Sequence, residues 1–181
     1  MNEPATTPPA KPYKRIDFYF DLSSPYSYLA ATQLEPLAAR NHAQVIWKPM
    51  ALGAIFKATG NVMPAACPPK ATYMLADLTR WAAHYGVPFR FNSHFLINAL
   101  RAMRLIIAAG LAAGADTGHP GLSKALFDAA WTEDRDLTDD ATLRAVCEAL
   151  GLPPDPLLAA CDTPTVKDRL RALGDEALSR G

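Results

Sequence analysis

Two segments of this chain read as β-strands, one helix separates them, and everything after them has helical period. That order constrains the fold more than any other feature. Residues 16–21, Ile-Asp-Phe-Tyr-Phe-Asp, are β-branched and aromatic, the side chains that suit a pleated, half-buried surface. Ser23-Ser24-Pro25 follows at once. Ser is a good helix N-cap, and Pro suits the first helical position because its missing N–H had no partner there anyway. Tyr28, Leu29, Leu34 and Leu37 carry that helix to about Arg40. Residues 44–48, Gln-Val-Ile-Trp-Lys, form the second strand, and Pro49 closes it. A β-α-β crossover makes the two strands parallel. Parallel strands normally belong to larger sheets covered on both faces. The third candidate, residues 87–91, carries Pro88 in its middle and is weak. The spacing therefore predicts a sheet that another segment or another chain completes.

The remaining text predicts helices over residues 52–59, 70–85, 96–113, 122–131, 139–150, 154–160 and 164–179. Thr138 is the expected cap of the helix at 139. Residues 1–14, with four prolines and no apolar period, predict a disordered tail. The domain reading is a β-α-β half over 15–50, an inserted helical domain over 51–161, and a helix over 162–181 that returns to the first unit.

Charge and apolar content exclude several functions. Lys+Arg and Asp+Glu both number 18, so no net basic field is offered to a phosphate backbone and no nucleic acid is expected. The longest strongly apolar stretch, residues 105–115, is short of the about 20 residues that span a bilayer, so no membrane is expected. Cys67, Cys147 and Cys161 lie far apart with no Cys-x-x-Cys pair, which predicts reduced thiols and a cytoplasmic protein. His42, His84, His94 and His119 show no ligand spacing, so no metal is expected. No glycine-rich nucleotide loop is present.

Chemistry concentrates at the first strand-to-helix junction, Phe20-Asp21-Leu22-Ser23-Ser24-Pro25-Tyr26-Ser27-Tyr28. It places the Ser24 hydroxyl at a helix N-terminus, where free N–H groups and the positive dipole end attract anions. The four residues Ser24-Pro25-Tyr26-Ser27 carry no thiol, so disulfide exchange is excluded at this point. The same field can hold the thiolate of a bound molecule, with Ser24 donating to it. Read on spacing alone, a plain N-cap is the alternative. Asn98, Arg101 and Arg104, three apart on one helical side, read either as an exposed polar stripe or as groups facing a substrate carboxylate. Gly110, Gly114 and Gly118 read as a helix ending.

Three segments together resemble the 2-hydroxychromene-2-carboxylate isomerases, relatives of kappa-class glutathione transferases and DsbA-like oxidoreductases. They are IDFYFDLSSPYSYLA, IWKPMALGAIFKATGN and PPKATYMLADLTRWAAHYGVPF. Their markers are Ser24-Pro25-Tyr26, Lys57-x-x-Gly60-Asn61 and the run from Tyr73 through Asp77 and Arg80 to Trp81. The resemblance covers residues 16–180. It implies an α/β fold, a thioredoxin-like β-α-β unit with a large inserted all-helical domain. It implies glutathione as cofactor, with Ser24 as the catalytic residue at its sulfur, and Asn61 and Lys70 binding the tripeptide. It implies Lys57 on a small aromatic carboxylate substrate. The implied reaction converts a 2-hydroxychromene-2-carboxylate into its trans-benzylidenepyruvate form during aromatic hydrocarbon catabolism. Thiolate addition, bond rotation and elimination accomplish it. Family members continue beyond the last helix into two further strands, so the C-terminal strands of the thioredoxin fold are expected to be missing here. A homodimer is expected. The alternatives are a kappa-type glutathione transferase, or a shortened non-catalytic paralogue acting as a binding or dimerisation module.

Overall fold

A computed structural model of the chain describes residues 14–181. The predicted tail falls outside the described residues except for Lys14, which opens the first strand. In chain order the elements are β1 (Lys14–Phe20), α1 (Pro25–Arg40), β2 (Ala43–Pro49), α2 (Leu52–Thr59), α3 (Pro68–Tyr85), α4 (Leu100–Ala112), α5 (Pro120–Trp131), α6 (Asp140–Ala149), α7 (Pro154–Ala160) and α8 (Pro164–Ser179). A 3-10 turn, Pro64–Ala66, precedes α3. β1 and β2 pair in parallel with Phe18 opposite Trp47 and Phe20 opposite Pro49. Among the described residues they are the whole sheet.

Proline sets many helix starts. It occupies the first turn of α1, α3, α5, α7 and α8, where its fixed φ is already helical. This moves the start of α3 to Pro68, before the predicted 70. It moves α5 to Pro120, before the predicted 122, with the His119 ring capping the Leu122 N–H at 3.1 Å. α6 is capped by Asp139, which accepts from the Ala141 N–H at 3.0 Å. Thr138, the expected cap, is instead held by Asp136. α4 begins at Leu100 and not at 96. The preceding segment is fixed by the buried Asn92, whose side chain donates to the Ala130 and Arg135 carbonyls at 2.7 and 3.0 Å. Residues 87–91 do not form a strand. Their Arg90 N–H donates to the Trp131 carbonyl, and Phe89 and Phe91 lie against the Trp131 ring.

One hydrophobic core joins the sheet to the helices. Phe20 and Trp47 are buried in edge-to-face contact, and Phe20 also meets Phe127 of α5. Trp131 donates its indole N–H to the Leu22 carbonyl at 2.9 Å, which ties α5 to the turn after β1. α4 is buried along most of its length and runs through the centre, which is where the apolar stretch belongs. No helix among the described residues is long and apolar enough to cross a membrane.

α8 returns to the sheet through a buried cation. The Lys48 ammonium, on β2, donates to Glu176 at 2.7 Å, to Asp17 at 3.1 Å and to the Tyr19 hydroxyl at 3.3 Å. A lysine so deep in protein must be paired, because desolvation of an isolated charge is costly. These contacts hold its pKa above the ordinary lysine value against the opposing effect of burial.

Candidate active site

α1 starts where β1 stops, and the turn between them is built from its own polar side chains. Ser24 is the N-cap in extended backbone, and its Oγ accepts from the Ser27 N–H at 3.2 Å. Among the described residues the Ser24 O–H has no protein acceptor, and the Tyr26 N–H has no partner either. Both donors sit at the positive end of a 16-residue helix. Asp21 is 7% exposed. One of its oxygens accepts from the Ser23 N–H at 2.8 Å and the other from the Leu52 N–H, also at 2.8 Å.

This turn forms one wall of a cavity of about 720 Å³, within the usual range for small-molecule sites. α2 contributes its amino end, Leu52 to Ala54, and Phe56. The helical region contributes Met74, Met103 and the stretch from Phe95 to Leu100. The lining is mainly apolar and rich in thioether and aromatic groups, which adapt to flat ring systems. Polar side chains reach it from Asp21, Ser23, Ser24, Tyr26, Asn61 and Asn98. Tyr26 donates to Asp77 of α3 at 2.9 Å, which links the helical region to the junction. Burial, and then the Asp77 carboxylate, pushes the Tyr26 phenol up to about 12.

The structure brings Ser24 and Asn61 to the same cavity. Asn61 lies in the α2-to-α3 loop, where its side-chain oxygen accepts from the Val62 N–H at 2.8 Å. Lys70, in the first turn of α3, is exposed and lines a neighbouring cavity of about 360 Å³ that shares Tyr26, Pro64 and Met74 with the first. Lys57, in the last turn of α2, is exposed and does not line the main cavity. Arg101 and Arg104 turn toward α6 and the α7-to-α8 connection. Arg101 pairs with Asp140 through two hydrogen bonds and with Asp162, and Arg104 approaches Asp162. Only Asn98 of that sequence trio reaches the cavity.

Sequence reasoning did not single out Asp21 or Tyr26 as parts of the site. The signal for Asp21 was its place directly before Leu22-Ser23-Ser24-Pro25, where an acidic side chain can accept from the turn it precedes. Among the described residues no cluster of three or more His, Cys, Asp or Glu side chains is arranged to hold a metal.

The chain has known relatives. The family model for the DSBA-like thioredoxin domain matches residues 15–181. A 2-hydroxychromene-2-carboxylate isomerase from Sphingobium xenophagum is 34% identical over 170 residues, covering 93% of this chain and 84% of that protein. Glutathione S-transferase kappa 1 of Homo sapiens is 27% identical over 180 residues, covering 93% of this chain and 77% of that protein. A solved structure of 2-hydroxychromene-2-carboxylate isomerase superposes with a TM-score of 0.78 at 26% identity, over 92% of this chain and 80% of that one. A thioredoxin-like β-α-β unit, a serine in place of the redox thiols and these similarities make one assignment: the chain belongs to the DsbA-like thioredoxin family, in the group of the 2-hydroxychromene-2-carboxylate isomerases and kappa-class glutathione transferases.

Proposed function

We propose that this chain is a glutathione-dependent isomerase of conjugated aromatic carboxylates, of the 2-hydroxychromene-2-carboxylate type, working in aromatic catabolism. The observation that carries the reading is the Ser24 junction, where two free donors and a helix dipole face an apolar cavity. Those groups fit a thiolate: an O–H, an N–H and a positive helix end lower the cost of its charge. Bound there, glutathione supplies a nucleophile that can add to a conjugated carbon and leave it again, which turns a double bond transiently into one that rotates.

The chain's own residues do the rest. Ser24 donates its O–H to the sulfur, while its Oγ keeps the first turn of α1 capped. Asn61 and Lys70 hold the polar ends of the tripeptide along the cavity rim. The apolar walls from Phe56, Met74 and Met103 take the aromatic ring and limit water around the reacting carbon. A carboxylate-binding role for Lys57 needs a substrate that extends beyond the cavity lining, because Lys57 is exposed in the last turn of α2 and does not line the cavity. Atoms and electrons balance without an oxidant, since the bond that forms to sulfur is the bond that breaks.

The apolar lining favours a second reading, a kappa-type transferase acting on neutral aromatic electrophiles. One experiment separates the two. The purified chain is assayed with and without glutathione, on 2-hydroxychromene-2-carboxylate and on 1-chloro-2,4-dinitrobenzene. Glutathione-dependent isomerisation that falls at least 10-fold in Ser24→Ala supports the proposal. Conjugation without isomerisation transfers the assignment to the second reading. Isomerisation that ignores glutathione, or survives Ser24→Ala at full rate, overturns it.

A further inference from the structure

A buried carboxylate beside Ser24 is left without a task by the chemistry just described. Asp21 is 7% exposed and lines the cavity, yet its two oxygens are turned to the protein. One accepts from Ser23, the residue before the catalytic serine, and the other from Leu52, the first residue of α2, each at 2.8 Å. The backbone repeats the connection. The Ser24 N–H donates to the Asp21 carbonyl at 3.0 Å, and the Met50 N–H donates to the Phe20 carbonyl at 2.9 Å. Two loops that are far apart in sequence, after β1 and after β2, are thus joined through one side chain.

We propose that Asp21 is the positioning residue of this site, fixing Ser24 against the α2 wall so that its hydroxyl and the apolar lining address one bound molecule. The two amides face different oxygens of Asp21, and an asparagine in its place turns an acceptor oxygen to one of them and a donor NH2 to the other. The carboxylate presents a separate oxygen to each loop, and a charge-assisted hydrogen bond to each makes the join stiff. Asp21 touches no substrate in this role and acts through Ser24. The assignment rests on the glutathione reading for its functional consequence, but not for its structural one.

The test uses the full chain with Asp21→Ala, Asp21→Asn, and each combined with Ser24→Ala. Amide hydrogen exchange, resolved by residue and measured without glutathione, reads the join directly. The Ser23 and Leu52 amides are expected to exchange at least 10-fold faster together in Asp21→Ala, while amides in the centre of α4 keep their rates. In Asp21→Asn one of the two amides is expected to regain protection. Glutathione affinity by calorimetry reads the consequence. Asp21→Ala is expected to weaken it at least 10-fold. Ser24→Ala, which costs at least 10-fold alone, is expected to cost less than 2-fold on top of it. If Asp21→Ala does not fold, Asp21→Asn carries both readouts.

Unchanged exchange at Ser23 and Leu52 overturns the join. Faster exchange with unchanged glutathione affinity, or with additive effects of the two substitutions, reduces Asp21 to a structural group and overturns the positioning role. Wild-type protein that binds no glutathione overturns the proposed function, and the exchange arm still decides whether Asp21 joins the loops.

Discussion

At the scale of single residues, the site separates into what neighbours in sequence determine and what only folding brings together. Ser24 was legible because a strand ending in Asp21, a Ser-Ser pair and a Pro form a complete local instruction for a capped helix start. The partner of Tyr26 was not, because Asp77 lies 51 positions away on α3. The same holds for Asp21 and Leu52, 31 positions apart. A pattern read along the chain has no access to such distances. The Tyr26 hydrogen bond has a measurable consequence. Tyr26→Phe removes the tie between α1 and α3 and costs about 1 kcal/mol, the usual net worth of one such bond. It leaves the pH–rate profile between pH 6 and 9 unchanged, since the phenol is held up to about 12 and stays protonated throughout. Thermal unfolding and a pH–rate series check both parts. A profile that loses an ionisation in Tyr26→Phe contradicts the assignment.

At the scale of elements, helix existence was readable and helix edges were less so. Period and proline placed each helix, but the starts of α3 and α5 moved to their prolines and that of α4 moved inward to Leu100. Directly before α4 the backbone is turned by local bonds, the Leu100 N–H donating to the Asn98 side-chain oxygen at 3.4 Å and the Ala99 N–H to the Ile97 carbonyl at 3.0 Å, which a reading of period does not register. The glycines near the end of α4 divide by cause. Gly114 has φ +77°, the left-handed conformation that ends a helix, and open space around its Cβ position. Gly110 sits inside α4, and a Cβ there runs into the Thr117 carbonyl. Gly110→Ala is therefore expected to cost about 2–3 kcal/mol by overpacking against backbone, a fall in melting temperature of roughly 5–10 °C. Gly114→Ala costs about 1 kcal/mol from strain alone. Equal effects in calorimetry would refute the division.

The docking of α8 carries its own pH dependence. Hydrogen bonds from Lys48 and Tyr19, together with Arg180, hold the Glu176 carboxyl down to about 2, against an ordinary value of 4.5. A folded-state pKa below the unfolded one means that the stabilisation is complete above about pH 4.5. It is lost as the pH falls from 4.5 toward 2, because protonation then favours the unfolded chain. Glu176→Gln is expected to lower stability at pH 7 and to flatten the stability curve over that window. Chemical denaturation from pH 2.5 to 7 measures it, and an acid limb as steep as the wild type's would remove Glu176 from the linkage.

At the scale of the whole molecule, a fold known for disulfide chemistry is combined with a site whose lining carries no thiol. The parallel pair, the crossover helix and the run of helices were legible from residue type and period, and the two strands read from the sequence are the two that pair, while the weak candidate at 87–91 does not join them. Which face of each helix meets which neighbour was not legible, because Arg101 reads as part of an exposed stripe or as a substrate contact until Asp140 and Asp162 arrive from 39 and 61 positions away. Fold does not determine chemistry, and the distribution of cysteines makes that testable. The helix start holds Ser24-Pro25-Tyr26-Ser27, so no internal thiol pair can exchange there. Of the three cysteines, Cys67 is exposed, while Cys147 and Cys161 are buried. Burial pushes both buried thiols up, Cys161 to about 11, and leaves little reactive thiolate at neutral pH. The folded protein is therefore expected to titrate one thiol rapidly with an aromatic disulfide reagent at pH 7.5, and all three in denaturant. It is expected to show no reduction of insulin disulfides above the rate of free glutathione alone. Two fast thiols in the folded protein would mean that the α6 or α7 end opens readily. Insulin reduction that follows Cys67 would show that sulfur chemistry has moved to the start of α3.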